Sequence, residues 1–118
     1  MSGLSISVTT LPAGDSLCCV VHLAGEADLT STPLRDALAT EIAVSPRLLL
    51  VDMSDLAFID SAATQMIVSA YQVLRDEEGG ILALVSPRPP VARVLSLLGV
   101  DQVISVYSSV TEAIAPLS

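Results

Sequence analysis

The sequence predicts an α/β fold: one domain built on a mostly parallel, mixed β-sheet with an antiparallel first strand, packed by about four helices. Three observations lead there. Short apolar runs suited to buried strands, Leu17–Leu23, Leu48–Val51 and Ile81–Val85, recur along the chain. Between them lie segments whose apolar residues repeat every three or four positions, the period of a helix. Ahead of all of these, Leu4, Ile6 and Val8 alternate with Ser5, Ser7 and Thr9, the period of a half-buried strand.

Taken in order, the alternating segment reads as an edge strand, and Pro12-Ala13-Gly14-Asp15 as the turn that folds it back on a second strand. That strand, LCCVVHL, is apolar on both faces and so more central. Gly25-Glu26-Ala27-Asp28 closes it. Thr30, Ser31 and Thr32 are each suitable N-caps for the next helix, with Pro33 at its first position and Leu34, Ala37, Leu38 and Ile42 inward. Leu48–Val51 is the third strand, ended by the polar break Asp52-Met53-Ser54-Asp55. Phe58-Ile59-Asp60-Ser61 leads into a helix carrying Ala63, Met66, Ile67, Ala70 and Leu74 on one face. Gly79 is its predicted left-handed cap, after the acidic run Asp76-Glu77-Glu78. Ile81–Val85 is the fourth strand. Val91, Val94, Leu95 and Leu98 give a helix of about two turns, stopped by Gly99. Val103, Ile104 and Val106 read as a last strand, and Ser108-Ser109 as the cap of a terminal helix with Ala113 and Ile114 inward, ended by Pro116. No internal repeat, linker or low-complexity segment appears, so 118 residues make one domain, 1–118.

Composition narrows the function. Apolar residues make up 52% of the chain and its mean hydropathy is +0.70, which argues for a packed core rather than disorder. No apolar run is long enough to span a membrane, and the N-terminal segment lacks a basic region and cleavage signal, so a soluble, cytoplasmic protein is expected, without direct membrane insertion. Thirteen acidic residues against five arginines give a formal charge of −8. That surface repels phosphates, so a nucleic-acid partner is not expected, whereas a partner with a basic face would suit it.

Cys18 and Cys19 are adjacent and read as small buried strand residues in a reducing compartment. His22 is the only imidazole, so zinc-type spacing is absent and no Ser-His-Asp set is suggested. Asp52, Asp55 and Asp60 lie close in sequence, but Asp52 is expected to end a strand and Asp60 to cap a helix rather than to ligate a metal. No catalytic residue, cofactor or metal is assigned, and the protein is not expected to be an enzyme. Ser61 stands out. It sits at a helix N-terminus beside Asp60, where a phosphate would suit the helix dipole yet add charge to an acidic surface and repel a docked partner.

Val51-Asp52-Met53-Ser54 followed by Phe58-Ile59-Asp60-Ser61-Ala62-Ala63 resembles the signature of STAS domains, the anti-sigma-factor-antagonist family: an apolar strand, Asp-Leu-Ser, a spacer, an apolar pair, then Asp-Ser-Ser/Thr-Gly opening a helix. Gly25-Glu26-Ala27-Asp28 and the C-terminal segment from Val91 to Ile114 are similar to the same family. The resemblance implies a STAS fold and a role as anti-sigma factor antagonist. Such a protein binds an anti-sigma factor with a serine kinase fold, frees a sigma factor, and is switched by phosphorylation in the Asp-Ser segment. It places that modification at Ser61 and partner contacts at Asp28, Ser54, Asp60, Ser61, Ala62, Ala63 and Thr64. This chain departs from the motif in having Ala62 for the second hydroxyl residue and Ala63 for the glycine. The alternative that this leaves open is a non-phosphorylated STAS subunit of another assembly, such as a lipid-transport complex or a stress-sensing scaffold. A monomer or weak homodimer is expected in either case.

Overall fold

The computed structural model describes residues 3–13 and 16–117. Five strands form one sheet in the order β1 (Leu4–Ala13), β2 (Ser16–Ala27), β3 (Leu48–Ile59), β4 (Ile81–Val85) and β5 (Val106–Tyr107). β1 pairs antiparallel with β2, and every later pair is parallel, as the sequence predicts. Each parallel step needs a crossover, and right-handed crossovers that always step toward the same edge must lie on one face of the sheet. Accordingly α1 (Thr32–Ile42), α2 (Ser61–Val73) and α3 (Pro89–Leu97) contribute to a single core cluster with Val21, Leu49, Val51 and Leu82. The short α4 (Val110–Ile114) follows β5 and closes the opposite face over Val20, Leu50 and Val85 through Ala113. Buried runs on β3 and β4 are apolar throughout because both faces are covered there.

Several boundaries move. β3 does not stop at Val51. It runs on to Ile59, and Asp52 lies inside it opposite His22. The break read at Asp52–Asp55 is instead a bulge: the register between β2 and β3 slips after His22 and again after Gly25. An extra residue absorbed this way re-aims the strand without ending it. Met53 and Leu56 are buried while Ser54 and Asp55 are exposed, so the burial period shifts with the bulge. β2 likewise extends to Ala27, with Gly25 at φ +101°. Pro12 and Ala13 belong to β1, and Gly14 and Asp15 lie outside the described residues.

The last predicted strand shrinks to Val106–Tyr107, because Val100–Gln102 forms a 3-10 turn that buries Val100 and Ile104 beneath α3. Leu98, expected inward, is the half-exposed cap of α3. α1 starts at Thr32, a residue before Pro33, with Ser31 as its N-cap. Gly79 is left-handed at φ +71° as expected, at the end of a π-helical turn, Leu74–Glu78, that prolongs α2. Pro116 does not end the chain's helical structure; it sits in a 3-10 turn after α4.

Candidate functional site

The junction of β3 and α2 is held by one side chain. Asp60 leaves the strand in an extended conformation and caps α2, its Oδ1 accepting from the Ala63 N–H at 2.8 Å. Its Oδ2 accepts from the Leu29 N–H at 3.0 Å, in the loop between β2 and α1. Its own N–H donates to the Ala27 carbonyl at 3.1 Å, and its carbonyl accepts from the Thr64 N–H and, at 2.7 Å, from the Thr64 hydroxyl. Both carboxylate oxygens are thus engaged by backbone donors. Asp60 is a cap and a tie between two loops, the role its position predicts, and no cluster able to hold a metal ion is found among the described residues.

Ser61 follows as the first residue of α2 and is exposed. Among the described residues its hydroxyl has no hydrogen-bond partner, so it projects from a helix N-terminus with nothing restraining it. Asp28 lies on the adjoining loop. Its Oδ1 accepts from the Thr30 N–H at 2.9 Å and from the Thr30 hydroxyl at 2.6 Å, while its N–H donates to Ser31 Oγ at 2.9 Å. The bonds from Thr30 hold its carboxyl below the usual value. Asp60 thus fastens the loop that carries Asp28 to the start of α2.

The expected contact residues differ in exposure. Ala62 is half-buried, but Ala63 and Thr64 are buried, their side chains turned to the core. The Ala63 methyl in place of glycine therefore packs inward instead of standing where a partner would approach. Ser54 is exposed on β3, its N–H donating to Asp52 Oδ1 at 3.0 Å.

Sequence spacing missed one arrangement. Asp52 Oδ2 lies 2.9 Å from His22 Nδ1, and His22 Nε2 lies 3.1 Å from the Thr9 hydroxyl, across three adjacent strands. Only the register of β1, β2 and β3 brings these residues together, and no local motif announces it. Burial pulls the Asp52 carboxyl upward, but the Ser54 N–H and His22 outweigh it and leave the carboxyl below its usual value. The order hydroxyl–imidazole–carboxylate is that of a nucleophile relay. His22 pairs with Ser7 of β1 and with Asp52 of β3, and the β2–β3 register breaks directly after it. The array acts as a cross-strand tie. Cys18 and Cys19 are buried free thiols, as expected. Burial, then the nearby Glu41, push the Cys19 thiol up to about 11, and burial raises that of Cys18, which disfavours the thiolate form of both.

A family model of the STAS domain matches residues 11–113. The chain belongs to the STAS domain family. A Thermotoga maritima protein assigned as an anti-sigma factor antagonist is 39% identical over 61 residues. The match covers 52% of this chain and 53% of that one, so this chain spans about half the length of that relative. The crystal structure of an anti-sigma factor antagonist from Mycobacterium paratuberculosis superposes with a TM-score of 0.77 at 29% identity, covering 94% of both chains. At 19% identity, the fold is shared with the phosphorylated form of the Bacillus cell fate determinant SpoIIAA, with a TM-score of 0.71 over 97% of this chain and 100% of that one. The STAS fold is a five-stranded mixed sheet here, with its signature at the β3–α2 junction.

Proposed function

We propose that this STAS domain is an anti-sigma factor antagonist. It binds an anti-sigma factor with a serine kinase fold through the surface formed by Asp28, Ser54, Asp60, Ser61 and Ala62, so that a sigma factor is released, and phosphorylation of Ser61 ends the binding. The observation that carries this reading is the contrast between neighbours: Asp60 is fully engaged in holding the junction, while Ser61 beside it is exposed with an unrestrained hydroxyl. The names of its relatives support the same role. A phosphate on Ser61 would be accommodated by the N-terminus of α2, so the fold would tolerate it. In an interface it would have to lose water beside an acidic surface, so the complex would not.

Nothing in this role requires catalysis by the chain itself; the cytoplasm is its natural setting, and a monomer or weak homodimer is sufficient. Ala62, which removes the second hydroxyl of the motif, favours a second reading: a STAS subunit of another assembly that is never phosphorylated. Affinity capture from the native cell, followed by incubation with ATP and the captured kinase, separates the two. Mass spectrometry is expected to place phosphate on Ser61. Phosphate only on Ser54 would overturn the assignment, and a captured partner that transfers none would favour the second reading. Thr64 is not expected to compete, because its hydroxyl is buried and donates to the Asp60 carbonyl.

A further inference from the structure

The outer side of the α1–α2 pair carries a groove of about 470 Å³. Both helices return from the end of one parallel strand to the start of the next, so they run in the same direction with their N-termini at one end. Buried Leu38, Ile42 and Ala70 form the floor, and the small exposed residues Ala39 and Ser69 keep the two walls low. The ends differ in charge. Arg35 stands at the N-terminal end, Glu77 and Glu78 at the C-terminal end. Among the described residues the ion pairs are His22–Asp52 and Arg75–Asp76, so Arg35, Glu77 and Glu78 enter none, although Glu78 Oε1 accepts from the Ser45 hydroxyl at 2.7 Å.

We propose that this groove docks one amphipathic helix of a partner protein, acidic in its first turn and basic in its last, lying parallel to α1 and α2. Shape argues for a single convex element: a second copy would bring trough against trough, and two chains of charge −8 repel. Length argues for a short helix. From Ala62 to Val73 the α2 wall rises 1.5 Å per residue, about 16 Å in all, which matches a docked helix of three to four turns, roughly 11–14 residues. Low walls admit close helix packing, with apolar side chains spaced at i, i+3 or i+4, and i+7 laid over Leu38, Ile42 and Ala70. Charge argues for the direction. A helix with an acidic first turn and a basic last turn satisfies its own dipole, and in the parallel orientation those same residues face Arg35 and the Glu77–Glu78 pair. The proposal goes beyond the Ser61 reading and does not need Ser61 to be modified.

The test uses a fluorescein-labelled, hydrocarbon-stapled helical peptide of about 14 residues, with leucines at i, i+3 and i+7, glutamates in its first turn and lysines in its last. Anisotropy titration with the full chain is expected to show saturable binding below about 1 mM. Binding should weaken about tenfold for a peptide with the same apolar face and glutamates at both ends, and about tenfold for Ala39→Trp, whose indole would fill the groove from an exposed wall. Amide shifts should fall on α1 and α2. If Ala39→Trp does not keep the wild-type circular dichroism melt, Ser69→Trp on the facing wall replaces it. Absence of saturable binding, equal binding by the blocked variant, or shifts confined to the Ser61 surface would overturn the proposal. So would dodecanoate occupying the groove when the peptide does not, or dimerisation of the chain through this face.

Discussion

Asp60 and Ser61 are chain neighbours with opposite duties, and substitution separates them. Asp60→Ala removes the cap of α2 together with the Leu29 tie, so its cost is expected toward the upper part of the usual cap range, about 0.5–2 kcal/mol. Ser61→Ala removes a hydroxyl that bonds to nothing described and should be close to neutral. Urea melts of the two variants check both expectations together, and a larger loss for Ser61→Ala would contradict this account of the cap. Gly25 is a second residue with little freedom to change. It has φ +101°, and a Cβ there would run into the Gly3 carbonyl, the acceptor of the Glu26 N–H. Gly25→Ala is expected to cost about 1–3 kcal/mol, read by the same melts, and to loosen the start of β1.

At the scale of elements, the His22–Asp52–Thr9 tie joins three adjacent strands. The folded Asp52 carboxyl is held below its ordinary value, so its contribution to stability is present above the unfolded carboxylate pKa, near 3.8, and is lost as pH falls through the folded value. Asp28, Asp76 and Glu112 shift the same way, so wild type should weaken below about pH 4 for several reasons. Asp52→Asn removes one share. Its stability is expected to fall less steeply than that of wild type between pH 5 and pH 3, in thermal melts at matched ionic strength. Equal slopes would show that Asp52 is not linked to folding. The same tie marks the limit of what the sequence discloses. Periodicity placed α1, α2 and α3 and the mostly parallel sheet with its antiparallel first strand, because each depends on local pattern and short connections. Asp60 as cap was legible from its place before an apolar helical repeat. The continuation of β3 through Asp52–Asp55 was not, since a bulge shifts the burial period and imitates a break. Nor was the pairing of His22 with Asp52, which only register creates. The inward turn of Ala63 was legible in the apolar repeat it opens, whereas that of Thr64, a polar residue outside the repeat, was not.

At the scale of the whole molecule, the fold and the charge distribution bear differently on one substitution, Ser61→Asp. The N-terminus of α2 is exposed there, and an added carboxylate suits the helix dipole by about 0.3–1 kcal/mol. Folding should therefore tolerate it, with an unchanged or slightly raised melting temperature. Association is another matter. The new carboxylate joins Asp60 and Asp28 on a chain already at −8, and in an interface it would have to lose its water. Long-range repulsion from any acidic patch on the partner adds to that cost and slows encounter. One carboxylate carries less charge than a phosphate and is shaped differently, so a partial loss of affinity is expected, deeper at low salt because screening shortens the reach of the repulsion. Calorimetric titration of both proteins against the captured anti-sigma factor, at two salt concentrations, measures it. Equal affinities with unchanged melting would place Ser61 outside the functional surface and remove the basis of the switch.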